Sequence, residues 1–207
     1  DVRWFEFEPC YMLHVVNCWE VGDKVVMVGC RTDDPTLRPN KADGRIAAML
    51  SGIKLQARLY RWEMDLRTGQ TSEGPLDDLN AEFPMIHPDR VGVRNRYSYH
   101  QRIPYEVPAA FHGLVKYDLH TGEREQVEYG DGVFGSEAPF APSSDAGADA
   151  AEDDGYVVTF VTDRADWSSA CLVYRADDLM AGPVARVKLP IRLPAGFHAT
   201  WMPGADL

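Results

Sequence analysis

The chain has 207 residues and a formal net charge of −11, with 45% hydrophobic and 26% charged residues. That length can bury a sizeable core, and that acidity argues against nucleic acid as a partner, because a phosphate-tracking surface needs a basic stripe. No apolar run approaches the roughly 18 residues of a membrane-spanning helix.

The chain opens on Asp1-Val2-Arg3-Trp4-Phe5, with neither an initiator Met nor a signal peptide, which reads as the middle of a longer protein. Residues 10–20 form an apolar strand that carries His14 and ends at the turn Val21-Gly22-Asp23. Helical periodicity is almost absent beyond it. The apolar segments are short, rich in Val, Tyr, Phe and Trp, and bounded by Gly, Pro and Asp, as strands are. Val25–Val28 and Val157–Val161 are near-continuous apolar runs, the pattern of strands buried on both faces. Leu59–Asp65 and Leu114–Tyr117 alternate. Gly44–Leu55 is the one helical piece, interrupted at Ser51-Gly52.

A turn recurs along the chain. Asp65-Leu66-Arg67-Thr68-Gly69 returns as Asp118-Leu119-His120-Thr121-Gly122 and, more weakly, as Asp178-Leu179-Met180-Ala181-Gly182. Each copy follows an aromatic-containing strand and leads into another. Asp accepts hydrogen bonds from the turn backbone, and Gly takes the positive φ that closes a hairpin. Recurrence at 53 and then 60 residues predicts an all-β chain with one four-stranded propeller blade per copy; hairpins in a β-sandwich are the alternative. Three blades do not close a ring, so this reading also places further blades upstream. Ser143–Gly155, polar and small, is expected to be an exposed loop between strands. Its acids lack the spacing of an EF-hand calcium site.

Arg90, Arg94, Arg96 and Arg102 are read as a solvated face. Cys10, Cys18, Cys30 and Cys171 match neither a zinc spacing nor a compact disulfide framework, and are read as small buried thiols in a reducing compartment. Of the six histidines, His87 and His120 are expected to be exposed, and His100 and His112 to lie at the surface beside a Pro-rich loop. His14 and His198 differ, because each is set among apolar neighbours. A buried His needs partners for its ring nitrogens, so each is either a satisfied core residue or a metal ligand. No metal-binding spacing joins them in sequence; only blade strands converging on one axis would bring them together. Glu82 and Glu137, wedged among apolar residues and prolines, are either turn acids or carboxylates that accept the outer N–H of a metal-bound His.

These segments resemble a known family. Leu13-His14-Val15-Val16-Asn17-Cys18-Trp19-Glu20 is similar to the Phe-His-x-x-Asn-Ala-(aromatic)-Glu motif of the carotenoid cleavage oxygenases, which include the lignostilbene dioxygenases and the retinal-pigment-epithelium isomerase. Glu82-Phe83-Pro84-Met85-Ile86 resembles that family's Glu-Phe-Pro-x-Ile, and Ser136-Glu137-Ala138-Pro139-Phe140 its later Glu segment. Gly196-Phe197-His198 resembles its terminal Phe-His-Gly. The resemblance implies a partial seven-bladed β-propeller over residues 1–207, with Fe(2+) on the axis held by four His, three of them backed by Glu. It makes His14 and His198 two of the metal ligands, supported by Glu82 and Glu137, and puts the other two His and the first supporting Glu upstream. The implied reaction is oxidative cleavage, by O2, of a conjugated C=C in an apolar carotenoid, apocarotenoid or stilbene. A non-catalytic scaffold and a retinoid-type isomerohydrolase are the rival functions. Any peripheral membrane contact would come from the upstream part, and a cytoplasmic or plastid location is favoured over secretion. Leu13, Cys18 and Ala199 depart from the family's Phe, Ala and Gly.

Overall fold

The computed structural model describes residues 1–52, 56–104, 110–145, 147, 149–194 and 196–204. Three antiparallel meanders follow one another along the chain. The first sheet is β1 (Tyr11–Val21), β2 (Lys24–Thr32), β3 (Arg58–Asp65) and β4 (Thr71–Pro75). The second is β5 (Ala81–Met85), β6 (Tyr97–Arg102), β7 (Gly113–Asp118) and β8 (Arg124–Glu128). The third is β10 (Phe140–Pro142), β11 (Gly155–Asp163), β12 (Ser169–Arg175) and β13 (Pro183–Lys188), with β9 (Val133–Gly135) pairing β11 off the main path. These are the all-β, four-stranded blades expected from the repeat.

The repeated turn closes the third strand of each blade onto the fourth. Asp65 Oδ1 accepts from the N–H groups of Arg67 and Thr68 at 2.9 and 2.7 Å, and Gly69 has a φ of 77°. Asp118 repeats the arrangement with His120 and Thr121 at 2.8 and 3.2 Å, and Gly122 has a φ of 79°. In the third blade the turn is widened by a 3-10 helix, Leu179–Ala181, capped by Asp178 and followed by Gly182 at 83°. That insertion accounts for the weaker copy and the longer offset.

The blades stack face to face, and period-two alternation decides what each interface contains. On β7, Val115 and Tyr117 join Val16, Trp19, Val26, Val28 and Leu59 of the first sheet. Leu114 instead joins Tyr99, Val157, Leu172 and Tyr174 against the third sheet. The alternation of Leu114–Tyr117 therefore marks two different interfaces, and all four residues are buried. Lys116 is among them, 2.7 Å from Asp153 and with its ammonium over the Tyr97 ring. Asp153 belongs to Ser143–Gly155, expected as an exposed loop between strands. Its C-terminal part instead docks on the second blade, where Glu152 accepts the N–H groups of Arg96 and Tyr97, both at 2.8 Å.

Other expectations need correction. Val157–Val161 is buried on one face only: Val157, Thr159 and Val161 point inward, whereas Phe160 is exposed. Its strand lies on the third blade, whose outer face is uncovered here. The helical piece begins before Gly44 and is broken into two turns of different type. A 3-10 helix spans Lys41–Ile46 and α1 spans Ala47–Gly52, because Gly44, at φ 58° and ψ −132°, breaks the run; residues 53–55 lie outside the described residues. Only Cys30 is a buried thiol, Cys10 and Cys18 being exposed and Cys171 half-buried. His100 is not at the surface but is 1% exposed, since its position on the central strand β6 turns it into the first interface. The arginine-rich segment is a solvated face whose charges are met by Glu152, Asp118 and Glu128.

Candidate metal centre

The first strands of successive blades lie side by side, and the candidate residues sit where those strands are irregular. β1 shifts register on either side of Val15, next to His14. Gly29 on β2 makes room for this bulge: a Cβ there would fall 2.6 Å from Met12 Sδ. β5 shifts register between Glu82 and Met85, and Phe83 between them has a φ of 56°. A bulge re-aims the side chain beside it. Here the two bulges turn His14 and Glu82 toward each other across neighbouring blades.

His14 Nδ1–H donates to Glu82 Oε2 at 2.7 Å. Glu82 is fully buried, and the same oxygen accepts the N–H of Phe83. The hydrogen bond to Glu82 raises the His14 pKa; burial opposes this, and the charges of Glu82 and Glu137 reinforce it. His198 comes from the segment after β13 and, like Phe83, adopts a left-handed φ, 61°. Its Nδ1 lies 3.2 Å from Glu137 Oε1. The other Glu137 oxygen accepts the N–H of Ala199 at 2.6 Å, a bond to backbone that Gly or Ala supplies equally. Glu137 is 3% exposed while the His198 side chain is 77% exposed, so this pair is the looser one.

The two rings stand 5.7 Å apart, centroid to centroid, at 70°. Each presents Nδ1 to its own carboxylate, which assigns Nε2 as the nitrogen available to a metal. Glu82 Oε1 has no hydrogen-bond partner among the described residues. A buried carboxylate oxygen in that state is costly, and a cation held by His14 would offset the charge. The donor set fits a divalent transition metal, since imidazoles suit iron and similar ions and a carboxylate behind each fixes the tautomer. Among the described residues, two of the three non-glycine residues with positive φ, Phe83 and His198, belong to this site, as strained backbone at functional positions often does. Among the described residues no group of three His, Cys, Asp or Glu side chains could hold a metal.

The other histidines lie elsewhere. His100 donates or accepts at Ser98 Oγ, 2.9 Å away, and lies 3.7 Å from Cys30 Sγ. Burial pushes its pKa down to about 3 against the opposing charge of Asp77, so it is neutral. His87 and His112 are half-buried and His120 is exposed.

Three features escaped sequence reasoning. Phe83, Phe111 and Phe197 form an aromatic cluster, with centroid separations of 4.8 to 5.8 Å, beside the His pair. Phe83 and Phe197 each adjoin a flagged residue, which was the available signal. Asn17 binds Arg90 O, Val93 O and Asn95 Oδ1 through Nδ2 and accepts from Gly92 N–H, tying β1 to the loop before β6. A cavity of about 590 Å³ opens from His14, Phe83 and His198 toward residues 34–52.

Comparison with known proteins identifies the family and the fold. The family described as Retinal pigment epithelial membrane protein matches residues 1–203. A Carotenoid 9,10(9',10')-cleavage dioxygenase 1 from Phaseolus vulgaris is 34% identical over 96% of this chain and 38% of its own length. Isoeugenol monooxygenase from Pseudomonas nitroreducens is 31% identical over 98% of this chain and 44% of its own. Among solved structures, the lignostilbene dioxygenase of Pseudomonas brassicacearum superposes with a TM-score of 0.81 at 30% identity, covering 99% of this chain and 44% of that one. A variant of Synechocystis apocarotenoid oxygenase superposes with a TM-score of 0.78 at 22% identity, over 91% of this chain and 38% of that one. The chain thus spans less than half the length of these relatives. It belongs to the carotenoid cleavage oxygenase family.

Proposed function

We propose that the chain is part of an Fe(II) oxygenase that cleaves a conjugated C=C bond of a carotenoid, apocarotenoid or stilbene, with His14 and His198 as two of four iron ligands. The observation that carries this reading is the pair of histidines, 5.7 Å apart, each with Nδ1 facing a buried glutamate, at the end of a cavity. The names of the relatives, carotenoid cleavage dioxygenase and lignostilbene dioxygenase, support the reaction class. Because those relatives extend well beyond the matched region, the remaining two His and a further Glu are assigned to residues outside the 207. So are the blades that would complete a seven-bladed ring. The apolar outer face of the third blade, with Tyr156, Phe160, Val184 and Val187 exposed, supports further sheets stacked there.

Bound iron would supply the activation of O2 for oxidative cleavage to two carbonyl products. Glu82 keeps the proton on Nδ1 of His14, so the Nε2 lone pair stays presented. Glu137 does the same for His198 and also anchors the backbone at Ala199. Phe83 and Phe197, with Phe111 packed against both, give the cavity an apolar wall that suits a flat conjugated substrate. The chain need supply no general acid or base. The test is metal analysis of the whole protein, followed by product mass from carotenoid and stilbene substrates. Near one equivalent of iron and two carbonyl products are expected. A stable metal-free propeller would replace this reading with the scaffold, and an isomerised alcohol product would replace it with the isomerohydrolase.

A further inference from the structure

Glu82 and Glu137 stand behind the two histidines, but they are held differently. Each oxygen of Glu137 has its own partner, His198 Nδ1 at Oε1 and the Ala199 N–H at Oε2. Both bonds to Glu82, from His14 Nδ1–H and from the Phe83 N–H, fall on Oε2. Its Oε1 is buried and has no partner among the described residues. A carboxylate held at one oxygen can pivot about its last torsion, which is broad. That pivot would move the acceptor that fixes the His14 ring.

Gln101 stands directly across the sheet from Glu82, as its partner in the pairing of β5 with β6. Opposed residues of an antiparallel pair project from the same face. Gln101 is fully buried, and its Nε2, like Glu82 Oε1, has no hydrogen-bond partner among the described residues. Its Oε1 is engaged, accepting the Tyr129 O–H at 2.9 Å. Tyr129 is itself wedged in place: a Cβ at Gly135 would fall 2.4 Å from its ring, and its N–H donates to His112 O at 2.8 Å. A carboxylate only accepts, so the amide can serve Glu82 only through Nε2. A tyrosine proton on Oε1 leaves that end free to do so.

We propose that Gln101 is a positioning residue for the metal centre: its Nε2 supplies, through a bridging water, the donor for Glu82 Oε1, and so holds the carboxylate that orients His14. This rests on the reading of His14 as an iron ligand. Two complementary buried groups left over on facing residues are the usual setting for an internal water. Gln101 does not line the cavity, so its effect falls on the metal and not on substrate binding.

The test is a set of double-mutant cycles on the whole protein, read by anaerobic competition for Fe(II) with a chelator. Gln101→Met keeps the side-chain length and removes the donor. It is expected to lower Fe(II) affinity about tenfold, the lower end for groups that orient a metal-bound His. In a Glu82→Ala background the same change should have almost no effect, because the group it acts through is gone. In a Glu137→Ala background the full loss should persist, and KM for a stilbene substrate should not move. Thermal melts verify folding. Tyr129→Phe, which loses one hydroxyl and keeps the ring, repeats the cycles with the core intact and should lower affinity by a smaller factor. Undiminished affinity in both variants, or an equal loss with and without Glu82, overturns the proposal. Absence of bound iron from the unsubstituted protein overturns the oxygenase reading instead. The Gln101 contact is then read on the metal-free protein, from urea midpoints of Gln101→Met, Glu82→Ala and the double variant: coupled midpoints uphold it and additive midpoints overturn it.

Discussion

His14 on β1 and His198, beyond the last strand, bring their rings to 5.7 Å although they come from opposite ends of the chain. Phe83 packs beside both, 4.9 Å from His14 and 6.4 Å from His198 by ring centroids. The two histidines are placed by different means. A bulged strand between packed blades holds His14. A segment without regular structure carries His198 and is tied to the third blade by Leu189, Leu193 and Ala199.

The tether makes Ser169 a positioning residue. It is 2% exposed, and its hydroxyl accepts the N–H of Leu193 at 2.9 Å. Ser169→Ala is expected to cost about 1 kcal/mol of stability and to weaken iron retention several-fold while leaving the metal stoichiometry at saturation intact. Chelator competition on the whole protein measures it; unchanged retention would show that His198 is held by other contacts.

The carboxylates behind the histidines should matter unequally. Glu82→Gln and Glu137→Gln are each expected to lower metal affinity, by about ten- to a hundredfold. The larger loss is expected for Glu82, which is fully buried and bonded to His14 at 2.7 Å, against 3.2 Å for the exposed His198. Metal titration of the two variants checks the order.

His100 sets an acid limb in stability. Its folded pKa is lowered from 6.5 to about 3 by burial, so below 6.5 the unfolded chain binds a proton that the folded one refuses. Stability therefore rises with pH across this window and falls as pH drops from 6.5 toward 3, by up to about 1.4 kcal/mol per unit from this group. His100→Gln, which does not titrate, should flatten that slope. Urea midpoints measured across the window decide the matter, and parallel curves for the two proteins would contradict it.

The ion pair between Lys116 and Asp153 locks the acidic loop to the second blade. Lys116→Ala leaves a buried carboxylate unpaired and is expected to cost about 3 kcal/mol. The double change Lys116→Met with Asp153→Leu should be far milder, because no charge is left behind. Denaturant melts of the three proteins test the contrast.

Much of this protein could be read from residue order. Asp followed by Gly four positions on marked the closing turn of each blade, since both act within the turn itself. Short Val- and aromatic-rich segments marked the strands, and His14, Glu82, Glu137 and His198 stood out as polar residues in apolar settings. What stayed hidden were relations between blades. Leu114–Tyr117 looks half-exposed in sequence, yet blades stack on both of its faces; for the same reason His100 is buried. Phe160 looks buried and is not, because the face it occupies is uncovered. The bulges at His14 and Glu82 depend on pairing registers in two different sheets. Residue types and local turns were thus determined by the sequence alone. Which face meets which, and hence which nitrogen finds a carboxylate, was decided only when the sheets packed.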